Sequence, residues 1–147
     1  MSIFRQYPYS KAVRILSKAK RSTDIAVIKQ LIMEFCDYMK LLIDNTNSYK
    51  DVFPFIRDDR FIFPGKHREL SVYKLETEVS SSGFLSQLLS ILDIRNHLEL
   101  SESLQDAIGD FHSDLSRGLI DVKASKNKIF DVLTNLRNTV YQAILSC

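Results

Sequence analysis

Glycine and proline are scarce in this chain. Four Gly and three Pro make seven turn-forming residues in 147, about 5% where roughly 12% is usual. Few turns mean long elements, which disfavours a fold of many short strands and points to helices. Four scattered Gly cannot build a phosphate-cradling loop, and no GxSxG, Walker or GxGxxG spacing occurs. Two cysteines, Cys36 and Cys147, supply no disulfide framework and read as free thiols of a reducing compartment. No apolar run approaches the ~20 residues that span a bilayer, and the opening MSIFRQYPYSKAVR has no uninterrupted apolar region of a signal peptide. The expectation is a soluble intracellular protein, in the cytoplasm, without a transmembrane segment.

The three histidines, His67, His97 and His112, sit in no HExxH and near no Cys at zinc spacing. Asp110, His112 and Asp114 alternate along a helical stretch, where residues two apart point about 200° away from each other and cannot share an ion. The expectation is therefore no metal, no cofactor, no small-molecule substrate and no catalytic residue.

What the chain does have is helical periodicity. Hydrophobic residues make up 45% and charged residues 26%, ordinary for a globular domain, and the length suits one domain over residues 1–147. The pattern predicts an all-α, compact helical bundle of four to six helices. Ser10 can cap a first helix running to about Arg21, and Ser22 or Thr23 a second, whose Ile25, Ile28, Ile32, Phe35, Met39, Leu42 and Ile43 recur on one face. The second should end at residues 44–48. Residues 68–79 favour helix, and SSSG then breaks the chain. Ser82 can cap a helix that turns Phe84, Leu85, Leu88, Leu89, Leu92 and Leu98 to one side, and Ser101 can cap the start of the C-terminal helices, residues 101–146.

Those C-terminal helices carry heptads. Ile108, Leu115, Val122, Ile129, Leu136 and Ala143 fall every seven residues, with Leu119, Lys126, Leu133 and Val140 in a second row. Such rows form a seam along another helix, either within one chain or between copies. Gly118 and the polar KASKNK of residues 123–128 interrupt them, so a kink or tight turn near 118–126 is expected as readily as one continuous helix. Lys126 would have to carry its ammonium out past the seam.

Two further features can bind. Residues 1–21, the basic N-terminal segment and helix, hold Arg5, Lys11, Arg14, Lys18, Lys20 and Arg21 and no acid. The rest of the chain has 14 basic and 18 acidic residues. Lys11, Arg14, Lys18 and Arg21 are spaced three, four and three apart, which aligns them on one helix face with Ala12, Val13 and Leu16 turned elsewhere. Together with Lys20 they could neutralise phosphates, could lie on an anionic membrane with Val13, Ile15 and Leu16 inserted, or could be a solvated face.

The second feature is VFPFIRDDRFIFPG, an aromatic-rich loop or small hairpin within residues 46–67. Pro54 and Pro64 exclude regular helix there. Phe53, Phe55, Phe61 and Phe63, with Arg57 and Arg60 between them, either close the core or dock a protein partner.

Helical-bundle ribonucleases of the HEPN type carry an Arg, commonly followed by Asn, with a His a few residues further along a late helix. Here Arg137–Asn138 is followed by Tyr141 and no His, and Arg95–Asn96 has His97 too close. The likeness is confined to a dipeptide. The sequence thus points first to a non-catalytic protein–protein interaction or assembly module, an adaptor or inhibitor that binds a protein partner or forms a homo-oligomer. A nucleic-acid-binding accessory subunit working through the basic helix comes second, and a helical ribonuclease third.

Overall fold

The structure, a computed structural model, describes residues 8–46, 75–117 and 122–145. These residues form an all-α bundle: α1 (Pro8–Lys20), α2 (Ile25–Asp44), α3 (Phe84–Ile91), α4 (His97–Ser116) and α5 (Lys123–Leu145). A single helical turn at 75–78 precedes α3, and no strand occurs among the described residues.

Packing runs in a ring. Helix α2 lies between α1 and α5, α5 packs on α4, α4 on α3, and α3 returns to α1. Helix α5 runs antiparallel to both α2 and α4. Along α2 and α5, Lys29 meets Tyr141, Asp37 meets Arg137, Lys40 meets Thr134, and Lys126 reaches the Asp44 carbonyl. Along α4 and α5, Lys128 meets Asp110 and Ser125 meets Asp114. The interior is one apolar cluster in which Leu16, Phe35, Met39, Leu75, Leu89, Leu104, Phe111 and Leu133 are essentially inaccessible, each such side chain contributing about 1.5–3 kcal/mol by leaving water.

Several sequence expectations change at the helix ends. Helix α1 begins at Pro8, so Ser10 lies inside its first turn and is not its cap; proline's fixed φ and missing N–H suit a first helical position. Helix α2 is capped by Asp24, whose Oδ1 accepts the Ala26 N–H at 2.9 Å, and not by Thr23 or Ser22. Ser22 instead accepts the Asp24 N–H at 3.2 Å. Ile25, expected on the buried row, is half exposed because it lies in the first turn of α2, at the bundle's end.

Ser82 does not cap α3. Gly83 holds that position, and the Glu78 carboxylate reaches back to accept the Phe84 N–H. A Cβ on Gly83 would lie 2.3 Å from the Thr77 carbonyl oxygen, so only glycine allows the 75–78 turn to approach this closely. Helix α3 stops at Ile91, and Leu98 belongs to α4 and is exposed. The chain breaks at Asp93, which takes φ 64°. Ser101 lies a full turn inside α4, buried, with its Oγ unpaired among the described residues.

The heptad rows resolve into two antiparallel arms. Ile108 and Leu115 line α4, while Val122, Ile129, Leu133, Leu136 and Val140 line α5 and its entry, and all seven are buried against the same core. KASKNK is helical, forming the first turns of α5. Lys126 sends its ammonium to the Asp44 carbonyl at 3.1 Å, at the rim of the seam. Leu119 lies outside the described residues, as do residues 47–74 with the whole VFPFIRDDRFIFPG segment: Phe53, Phe55, Arg57, Arg60, Phe61 and Phe63.

Candidate nucleic-acid interface

Helix α1 owes its orientation to its apolar residues. Tyr9, Ala12, Val13, Ile15, Leu16 and Ala19 are buried. That leaves Lys11, Arg14, Lys18 and Arg21 exposed on the opposite face. The Arg21 N–H still donates to the Ser17 carbonyl at 3.1 Å, so the helical register holds through the last cation. Ten residues at 1.5 Å rise make the stripe about 15 Å long. Its apolar face is inside the protein, so Val13, Ile15 and Leu16 are not available to insert into a membrane.

Four of the described acids are engaged elsewhere. Asp37 pairs with Arg137, Asp110 with Lys128, Asp114 with Arg117 and Glu76 with His112. Among the described residues no carboxylate pairs with Arg14, Lys18 or Arg21. The Lys11 ammonium sits 4.9 Å from the centre of the Tyr38 ring on α2. Burial pushes the Tyr38 phenol above its ordinary value, and the nearby Arg14 charge pulls it partly back. Lys20 departs from the stripe: its ammonium donates to Gln87 Oε1 at 2.6 Å and lies 4.6 Å from the Phe84 ring, fastening α1 to α3.

Both described histidines face inward. His112 joins three elements, with Nδ1 2.9 Å from Glu76 Oε2 and Nε2 3.0 Å from Tyr9 Oη. The tautomer satisfying both contacts donates from Nδ1 to the carboxylate and accepts the phenolic O–H at Nε2. This is the hydroxyl–imidazole–carboxylate order of a nucleophile relay. Tyr9, however, is 1% exposed, so no substrate reaches its oxygen. Burial, with a smaller contribution from Glu76, holds its proton on well above the usual phenol range. His97 pairs in the same way with buried Ser86, Oγ to Nδ1 2.9 Å, tying the start of α4 to α3. Both arrangements are fasteners. Sequence reading missed them because their partners are far apart along the chain.

Asp110 and Asp114 line an open cleft between the end of α4 and the start of α5, together with Ser113, Arg117, Ala124, Ser125 and Lys128. Its charges are matched internally. Lys128 meets Asp110 at 2.7 Å, Arg117 meets Asp114 at 2.7 Å, and Ser125 also donates to Asp114. Bonds from Ser125 and Arg117 hold the Asp114 carboxyl below the usual carboxylate range. Among the described residues no three of His, Cys, Asp or Glu stand together to hold a metal, and no described helix is long and apolar enough to cross a membrane. Arg137, the candidate of the ribonuclease comparison, donates to both Asp37 oxygens and faces α2.

Compared with known protein families, with curated proteins and with solved structures, the chain matches none.

Proposed function

We propose that the protein is a non-catalytic helical binding module that engages the phosphate backbone of a nucleic acid through the exposed face of α1. The observation that carries this reading is the stripe of Lys11, Arg14, Lys18 and Arg21. It is fixed in one register by a helix whose other face is buried, and Arg14, Lys18 and Arg21 have no described carboxylate partner. Phosphate contacts by Lys and Arg release counterions, which makes such binding strong at low salt and steeply weaker as salt rises.

A second reading, docking of a protein partner, is favoured by a different observation. Ile25 and Val27 at the start of α2, Leu98 at the start of α4 and Tyr141 near the end of α5 are exposed. The antiparallel pairings of α5 with α2 and with α4 bring these helix ends to one end of the bundle. The heptad rows do not add to this reading, since they are used within the chain.

Fluorescence anisotropy with short labelled single- and double-stranded RNA and DNA, at two salt concentrations, separates the two. Binding that weakens steeply with salt and disappears when Lys11, Arg14, Lys18 and Arg21 are changed to Glu in a variant that keeps its helical circular dichroism supports the backbone reading. Absence of binding by the unaltered protein at low salt rejects it and leaves the apolar end as the surface to test.

A further inference from the structure

Resting on the nucleic-acid reading, we infer that Gln87 of α3, a neutral residue outside the stripe, is a positioning residue for the binding surface. It acts through Lys20, which makes no phosphate contact of its own. The cations of α1 divide by where they point and what they already touch. At about 100° per residue, Lys11, Arg14, Lys18 and Arg21 fall within an arc of about 80°, while Lys20 lies about 100° beyond its nearer edge. Arg14, Lys18 and Arg21 are exposed, and no carboxylate among the described residues pairs with them. The Lys20 ammonium instead has two partners on α3, Gln87 Oε1 at 2.6 Å and the Phe84 ring with its centre at 4.6 Å.

The part of α3 that receives Lys20 is itself held in place. The Phe84 N–H donates to Glu78 Oε1 at 3.3 Å, and Gly83 lies so close to the 75–78 turn that a Cβ would meet the Thr77 carbonyl oxygen. On either side of Gln87, Leu85, Ser86, Leu88 and Leu89 are buried. Gln87 is thus an exposed amide on a seated helix, with its oxygen turned to α1.

The bond closes on the last turn of α1, which ends at Lys20. Helix ends fray, because the ladder of backbone bonds runs out there. Two of the four stripe cations, Lys18 and Arg21, sit on or beside this turn. Tying Lys20 to α3 fixes the rotation of the turn, so that Lys18 and Arg21 continue the line begun by Lys11 and Arg14. A surface already held in its bound arrangement loses less freedom when it binds.

The test is the affinity for a labelled DNA duplex of about 20 base pairs, two helical turns, measured by anisotropy across a salt series on variants that keep their helical circular dichroism. Four stripe contacts give a log–log slope near −3.6, about −0.9 for each. Gln87→Ala leaves every charge in place, and it should weaken binding about two- to fivefold, the scale of an exposed polar pair, at unchanged slope. Lys20→Met should keep the slope, and adding Gln87→Ala to it should bring no further loss. Lys20→Arg should keep both slope and affinity, since a guanidinium can also donate to Gln87 and stack on Phe84. Lys18→Gln, by contrast, should bring the slope to about −2.7. Unchanged affinity in Gln87→Ala overturns the inference. So does a slope shallower by about 0.9 in Lys20→Met, which makes Lys20 a contact, or tighter binding with a steeper slope in Gln87→Ala, which means that a freed Lys20 joins the phosphates. These three results leave nucleic-acid binding standing. Failure of the unaltered protein to bind removes both.

Discussion

Asp93 is where the backbone conformation makes the sharpest demand on residue type. Helix α3 ends with the Asp93 N–H donating to the Ser90 carbonyl at 2.9 Å and the Ile94 N–H donating to the Leu89 carbonyl at 3.0 Å. This pair of bonds is the Schellman closure, in which the residue just past the helix cap is left-handed and the next one packs back on the last turn. Both conditions hold: Asp93 has φ 64°, and Ile94 and Leu89 are buried. A left-handed conformation costs an ordinary L-residue roughly 1–2 kcal/mol, and less for Asp, whose short side chain bonds locally. Asp93→Val restores the full cost and adds a branched Cβ that the left-handed region tolerates badly, so a loss of about 1–2 kcal/mol is expected. Asp93→Gly removes the steric cost but loosens the unfolded chain by about 0.4–1 kcal/mol, so it should fall close to the unaltered protein, on the stable side. Because Asp93 is exposed, loss of side-chain packing does not confuse the comparison. Thermal unfolding followed by circular dichroism reads the series, with about 3–4 °C expected per kcal/mol for a domain of this size. A Val variant as stable as the unaltered protein would refute the left-handed closure, and with it the sharp turn that lets α3 and α4 lie side by side.

Two other predictions probe the core and its ionisation. Leu133→Ala removes an inaccessible side chain from the heptad seam and should cost about 2–5 kcal/mol; analytical ultracentrifugation should show the same mass before and after, whereas a drop in mass with little loss of stability would mean that the seam joins copies. Alkali should weaken the fold. Burial and then Glu76 hold the Tyr9 proton above its ordinary 10.0, and burial and then Asp37 push the Cys36 thiol from 9.0 up to about 12. Both folded pKa values are raised, so the stability they contribute is fully present below pH 9 and is lost as pH climbs past it. Tyr9→Phe should lower the urea midpoint at pH 8 by the worth of one buried hydrogen bond, about 0.5–1.5 kcal/mol. It should then lose less than the unaltered protein between pH 8 and 11; an equal loss would show that the phenol does not titrate with unfolding.

How far the sequence could be read divides along local and distant interactions. The stripe on α1 was legible because three-and-four spacing is a property of one helix, and burial of Ala12, Val13 and Leu16 places the cations outward. Lys20 escaped the same reading: two residues past Lys18 it has rotated away from the stripe, and only the arrival of α3 shows where its ammonium goes. The long α2 and the pair α4–α5 were visible through their periodic apolar rows. Helix starts were not, because Ser10, Ser82 and Ser101 each resembled a cap, while α1 begins at Pro8, Glu78 reaches across a turn to the start of α3, and α4 begins after Asn96, whose side chain makes no capping bond. The break after α3 was hidden for a related reason. A chain poor in glycine was expected to turn rarely, yet LDIRN turns on an aspartate in a conformation usually given to glycine.

The heptads show a different limit. A seven-residue period states that a helix face is apolar along its length, and says nothing about which chain supplies the opposing face. Running the same register up α4 and down α5 satisfies the pattern twice over against one core. A face that is already buried in this way cannot also hold a second copy unless the bundle opens. Self-association would therefore have to use another surface, such as the bundle's end where Ile25, Val27, Leu98 and Tyr141 are exposed. Salt distinguishes that end from the α1 stripe. Association through apolar side chains persists or strengthens in strongly salting-out conditions, while the phosphate-backbone affinity proposed for the stripe should fall by about two orders of magnitude between 50 and 200 mM salt for four contacts.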